Sequence, residues 1–208
     1  MSLPACTLVS WQTIYRLSRE LARLVKTSGF RPEIVIAIGR GGYIPARLVC
    51  DFLHLDRLTG IKVEHYFATH KKIEVVIRYP LNIDVRDLDV LVVDDVNDSG
   101  DTLAAVLRYL EGFAPRRART AVLHEKAVTN FPADFVAKRM STWRWIVYPW
   151  ACIEDVTAFV RALQPPPRSA DEARQRLGDE HGIRVARQTL QDVLDFLETS
   201  KLQQGNTP

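Results

Sequence analysis

Cysteine is scarce and scattered: Cys6, Cys50 and Cys152 are odd in number and far apart. That arrangement has neither metal-ligand spacing nor a disulfide framework, so packing roles in a reducing compartment are expected. Long apolar runs are missing as well. No stretch approaches the ~20 residues that span a bilayer, and the N-terminus has no basic region followed by an apolar segment. A membrane partner is therefore not expected, and the expected compartment is the cytoplasm. An excess of either charge is also absent: 28 Lys and Arg against 25 Asp and Glu leave a net +3, too little to argue for a nucleic-acid partner. Internal repeats and low-complexity tracts are absent. What remains is 208 residues, 47% hydrophobic and 25% charged, which is the balance of an ordinary globular protein with one main core and room for an appendage.

The apolar residues that are present fall into alternating patterns. From Ser10 onward, Ile14, Leu17, Leu21 and Leu24 form one helical stripe, with Ser10 as N-cap and Gly29 just past the end. Residues 33–39 (EIVIAIG) are a short β-branched run ending in GRGG, and IPARLVCDFLH after it has helical spacing with Pro45 in its first turn. Residues 61–67 and 73–79 read as two strands around a basic turn, the makings of a flap. DVLVVDD is nearly continuous in apolar residues, as a strand covered on both faces of a parallel sheet should be. A helix closed by Gly112, the strand RTAVLHEK, two shorter strands at DFVAK and WIVYP, and the helix EDVTAFVRAL complete the pattern. The alternation predicts an α/β fold with ligands at the carboxyl ends of the strands. Pro165, Pro166 and Pro167 interrupt it, which divides the chain into a domain at 1–164 and a linker with a helical extension at 165–208.

Chemistry concentrates in residues 91–102, LVVDDVNDSGDT. The small and polar loop from Asn97 to Thr102, between a strand and a helix, can aim several backbone N–H groups at one anion, and the helix N-terminus adds partial positive charge. No lysine follows the glycine and the spacing GxxxxGK[ST] is absent, so a phosphate monoester suits the loop better than a nucleoside triphosphate. Asp94 and Asp95 sit where the strand ends. Carboxylates there can accept hydrogen bonds from a vicinal diol and hold Mg²⁺ directly or through water. Acids at a strand end often only cap the next helix; here the whole string carries the reading.

VLVVDDVNDSGDT resembles the phosphoribosyl pyrophosphate (PRPP) motif of the type I phosphoribosyltransferases, with Ser99 where that family usually has Thr. The resemblance implies that family's fold, a mainly parallel central sheet flanked by helices with a small hood, here with a C-terminal helical extension. It further implies that Asp94 and Asp95 contact the ribose hydroxyls and Mg²⁺, while Asp98, Ser99, Gly100, Asp101 and Thr102 wrap the terminal phosphate. The side chain of Asp101 is expected to point outward and its N–H inward. IAIGRGGYIPARL resembles the family's pyrophosphate loop, so Gly39, Arg40 and Gly41 are expected to meet pyrophosphate, with the Gly39–Arg40 peptide cis when ligand is bound.

WIVYPW at 145–150 is similar to W-I-E-Q-P-W of the xanthine-guanine phosphoribosyltransferases. That likeness implies Trp145 stacked on a purine and Ile146 at its edge. Lys126 matches the lysine that donates to the exocyclic oxygen of six-oxo purines, and Asp98 matches the acid that takes up or orients the proton of the imidazole ring. The implied reaction is a purine-salvage transfer of phosphoribosyl from PRPP to hypoxanthine, guanine or xanthine, with Mg²⁺ as cofactor and Arg40 stabilising the departing charge. A homo-oligomer is expected by the same analogy. One departure matters: the acid that follows P-W in those enzymes is Ala151 here, leaving Glu154 or Asp155 as its replacement. Lys71, Lys72 and Arg78 make the flap a basic lid over pyrophosphate. The rival readings are transfer to adenine, uracil or orotate, and a PRPP-sensing regulator on the same fold.

Overall fold

The computed structural model describes residues 5–67 and 73–205. The elements of the first compact unit, Gln12–Trp143, are α1 (Trp11–Thr27), β2 (Ile34–Gly39), α2 (Tyr43–Leu53), β3 (Leu58–Phe67), β4 (Ile73–Tyr79), β5 (Asp89–Asn97), α3 (Asp101–Glu111), β6 (Arg117–Lys126) and β7 (Phe135–Met140). They follow β1 (Cys6–Leu8), which three residues were too few to announce by periodicity. The buried stripe of α1 is Ile14, Leu17, Leu21 and Val25; Leu24, expected there, is only half buried because the 3.6-residue repeat carries the stripe on to Val25. Gly29 follows in the left-handed region at φ +78°.

Six strands lie in the order β4-β3-β2-β5-β6-β7, parallel throughout except for the antiparallel pair β3 and β4. The apolar runs behave as their lack of alternation requires. Ile36, Val92 and Val122 pack with Leu103, Val106 and Leu110 of α3, while Val35, Leu91, Val93 and Leu123 are buried on the opposite face. From β2 the chain crosses through α2 to β3 on one side, and β5 then returns to the other side of β2. The strand order thus reverses between β2 and β5, and the crevice beyond their carboxyl ends is where an open α/β sheet accepts a ligand. The opposite end of β5 is clamped: Asp89, whose side chain is 3% exposed, accepts from Arg116 Nε at 3.0 Å and from Arg117 Nε at 2.9 Å. Those hydrogen bonds, Arg117's foremost, hold its carboxyl far below the usual carboxylate range.

The second unit is Met1–Trp11 with Arg144–Pro208. In it β1 pairs in parallel with β8 (Trp145–Val147), and α4 (Cys152–Ala162), α5 (Ala170–His181) and α6 (Arg187–Gly205) pack around Val156, Phe159, Leu177, Leu190 and Val193. The helical extension therefore shares a core with α4, and the compact units divide near residue 144, not at the proline run. Ser169 caps α5 by accepting from the Glu172 N–H, and Gly182 closes it at φ +69°.

Candidate active site

At the crevice, the loop after β2 and the end of β5 are in contact. A β-carbon on Gly41 would overlap the Asp95 carboxylate, and one on Gly42 would overlap the Val93 carbonyl oxygen, so neither position can carry a side chain without movement. The Tyr43 ring lies against Gly39 and Gly60 in the same way. The Gly39–Arg40 peptide is cis, and Arg40 is exposed.

Asp94 is buried at the strand end, where its Oδ1 accepts from the Asp95 N–H at 2.9 Å. Burial, with the like charge of Asp95 next, raises its carboxyl well above the ordinary range. A cation or a pair of sugar hydroxyls at this point would relieve both costs. The chemistry of the donors suits Mg²⁺, which keeps much of its water and binds one or two carboxylates together with substrate phosphates. Among the described residues no cluster of three metal-ligating side chains exists, so the two acids fit an ion shared with substrate and not an all-protein cage.

Asp94–Leu103 lines a cavity of about 460 Å³. Its curvature is held from behind. Asn97 Nδ2 donates to Glu125 Oε2 at 3.1 Å and to the Phe131 carbonyl at 2.8 Å, the Asn130 N–H donates to the Ser99 carbonyl at 2.9 Å, and Gly100, at φ +97°, sits against Phe131 and Thr129 where a β-carbon would collide. Gly100 also precedes α3 without offering a capping side chain, so the helix presents its positive end to the loop. Asp101 is exposed, as expected, but its N–H donates to Ser99 Oγ at 3.3 Å while Ser99 Oγ donates to Asp101 Oδ2 at 2.7 Å. This turn within the loop engages the N–H that was expected to point inward, because a serine two residues ahead is the nearest acceptor.

Asp98 and Lys126, expected to meet a purine in separate tasks, form an ion pair: Lys126 Nζ lies 2.5 Å from Asp98 Oδ2, with the lysine side chain 5% exposed. Trp143 joins them, donating from Nε1 to Asp98 Oδ1 at 3.2 Å with its ring centroid 4.2 Å from Lys126 Nζ. Nothing in the local sequence of Trp143 announced it; the contact spans 45 residues to Asp98.

In the second unit, Trp145 is 41% exposed on β8 and Ile146 is buried. Asp155 accepts a hydrogen bond from the Trp145 side chain; burial, seconded by Glu154, pushes its carboxyl up to about 6 against that hydrogen bond. Of the two acids considered as replacement for the one absent at Ala151, Asp155 is thus the one that touches Trp145, whereas Glu154 is exposed. Of the flap cations, Arg78 Nε donates to Glu64 Oε2 across β3 and β4 at 3.2 Å; Lys71 and Lys72 lie outside the described residues.

A mainly parallel sheet whose switch point holds paired acids and a small polar loop ahead of a helix is the arrangement of a phosphoribosyltransferase. A model of the phosphoribosyl transferase domain family matches residues 6–155, and the chain belongs to that family. It is 32% identical to a xanthine-guanine phosphoribosyltransferase of Cereibacter sphaeroides, over 68% of this chain and 84% of that one. It is 28% identical to the protein of the same name from Idiomarina loihiensis, with the same coverage. Among solved structures, a purine phosphoribosyltransferase from Pyrococcus horikoshii superposes with a TM-score of 0.62 at 29% identity, over 72% of this chain and 94% of the other.

Proposed function

We propose that this enzyme transfers phosphoribosyl from PRPP to a six-oxo purine, releasing pyrophosphate. The observation that carries the proposal is the Asp98–Lys126 pair beside the sugar-phosphate loop: a proton acceptor and a buried ammonium donor suit a purine whose ring N–H lies near a carbonyl. In the reaction a purine ring nitrogen bonds to the anomeric carbon as the carbon–oxygen bond to pyrophosphate breaks, with oxocarbenium character between. Arg40 meets the departing diphosphate, an arrangement in which fixed charge favours the transition state. The loop from Ser99 to Thr102 holds the 5-phosphate, and Asp94 and Asp95 accept from the ribose hydroxyls. A carbonyl that takes the Lys126 donor relaxes Asp98 Oδ2 for the imidazole proton.

Asp94 and Asp95 would hold Mg²⁺, which when bound neutralises charge on the leaving pyrophosphate. Trp145 and Ile146 are assigned to the purine by resemblance alone. The proposal includes a cytoplasmic setting and a homo-oligomer, checked by sedimentation of the purified protein. Among the described residues no helix is long and apolar enough to cross a membrane.

The deciding experiment measures pyrophosphate release from PRPP with hypoxanthine, guanine, xanthine and adenine, with and without Mg²⁺. Six-oxo bases should be used, adenine refused, and chelation should abolish turnover. Efficient use of adenine would overturn the Lys126 assignment, and a complete absence of pyrophosphate release with every base would favour a PRPP sensor. Asp98→Asn is expected to lower kcat by about 10²-fold or more.

A further inference from the structure

Trp143 belongs to no part of the motifs that identify the family, yet both of its directed contacts go to the two residues assigned to the purine edge. Burial does not explain its place. The side chain is 42% exposed, and Thr142 before it is exposed as well. The indole instead supplies what the ion pair alone lacks. Asp98 projects from a loop with its side chain 45% exposed, and the last torsion of an aspartate is broad, so one contact from Lys126 does not fix the roll of the carboxylate. The Nε1–H bond to Oδ1 supplies the second point that fixes it. On the lysine side, the ring face stands over an ammonium almost without solvent, where cation–π attraction is strongest. An ammonium has three N–H donors; carboxylate and ring occupy two directions, and the third is left for an exocyclic oxygen.

We infer that Trp143 is a positioning residue for the base half of the transfer: its N–H sets the orientation of Asp98 and its ring holds Lys126 in line with it, so that acid and ammonium meet one purine edge together. The inference rests on the purine reading above. Trp143 touches the acceptor and the donor and acts through them.

Two variants separate its parts. Trp143→Phe keeps a ring and removes the N–H; Trp143→Leu removes both. With PRPP and the preferred purine, Trp143→Phe should lower kcat about 5- to 10-fold with the purine KM nearly unchanged, the mark of an interaction made in the transition state. Trp143→Leu should in addition raise the purine KM about 10-fold, with the PRPP KM within about 2-fold in both variants. On an Asp98→Asn background, Trp143→Phe should add little further loss. Wild-type kcat and purine KM in both variants would overturn the inference. So would a parallel rise in the PRPP KM, which marks general damage to the fold, or a fully additive loss on the Asp98→Asn background. The contact also has a readout that needs no turnover. The indole N–H resonance that disappears in Trp143→Phe should shift in Asp98→Asn, and an unshifted resonance would show that the hydrogen bond is absent. A wild-type protein inert toward every base would overturn the purine reading and this role with it, while the resonance would still report the contact separately.

Discussion

The two ends of strand β5 carry the same residue type in opposite conditions. Asp89 at the amino end is buried between Arg116 and Arg117, which hold its carboxyl far below the usual range. Asp94, five residues on, is buried with a second acid as neighbour, and its carboxyl is pushed well above that range. The first end is electrostatically complete and contributes stability. The second is incomplete without a cation or hydroxyl donors, the condition expected of a site whose missing charge arrives with substrate.

The sharpest way to test the contrast is to neutralise each acid. Asp94→Asn should cut kcat/KM for PRPP by about 10²-fold or more, since a carboxylate proposed to hold the ribose hydroxyls and Mg²⁺ is lost. Its urea midpoint should rise, because an amide keeps an acceptor for the Asp95 N–H while removing a buried like charge. Asp89→Ala should do the reverse. Leaving two arginines without their shared carboxylate is expected to cost roughly 2–4 kcal/mol, at the low end for a buried pair because both guanidiniums are half exposed. Activity per folded molecule should be unchanged. If Asp89→Ala lowered activity and left stability intact, the division of labour along β5 would be wrong.

The same division explains what the sequence disclosed. Strands β2, β5 and β6 were legible because both their faces are covered, which leaves continuous apolar runs, and their carboxyl ends were legible because glycines and acids there break those runs abruptly. The clamp at Asp89 was not. An acid at the start of a strand and two of the arginines of RRAR read alone as solvated charge, and only parallel pairing of β5 with β6, Asp89 opposite Arg117, turns them into a cluster. Trp143 was hidden for the same reason: it meets Asp98 and Lys126 through space from a loop with no periodicity of its own. The Asp98–Lys126 pair lay between these cases, both members recognisable and their union not. The boundary at the proline run was a local signal, whereas the core that joins α4 to α5 and α6 depends on apolar positions on both sides of it.

Acid titration gives the next test along the sheet. His124 on β6 is 2% exposed, and burial, with Lys138 adding to it, lowers its imidazole to about 4 from an ordinary 6.5. A folded value below the unfolded one means that protons favour the unfolded chain. Its contribution is complete above pH 6.5 and is lost as pH falls toward 4, at up to about 1.4 kcal/mol per pH unit. Asp89, also depressed, adds loss only below about pH 4, the unfolded carboxylate value. Asp94, raised, runs the other way: what it contributes is present below about pH 4 and lost as pH rises through its folded value. Asp155, raised to about 6, opposes His124 in the same way, so the test is the difference between variant and wild type: urea melts from pH 7 to 4 should show His124→Gln losing less stability toward acid than wild type, and the same slope in both would remove His124 from the account.

The smallest effect sharpens the comparison by separating contact geometry from burial. Arg23 donates to Glu20 from Nε at 2.8 Å and from Nη2 at 2.6 Å, a two-point contact as close as the one between Arg117 and Asp89. Both side chains are open to water, 58% and 39% exposed, one turn apart on α1. Water and salt screen such a pair, and ordering two long side chains opposes what attraction is left. Glu20→Gln should therefore leave the urea midpoint within error of wild type at 0.15 M salt, as ordinary ionic strength is reckoned, where Asp89→Ala shifts it visibly. Equal shifts in the two variants would mean that the short arginine–carboxylate distance, and not the burial of Asp89, is what makes the amino end of β5 strong.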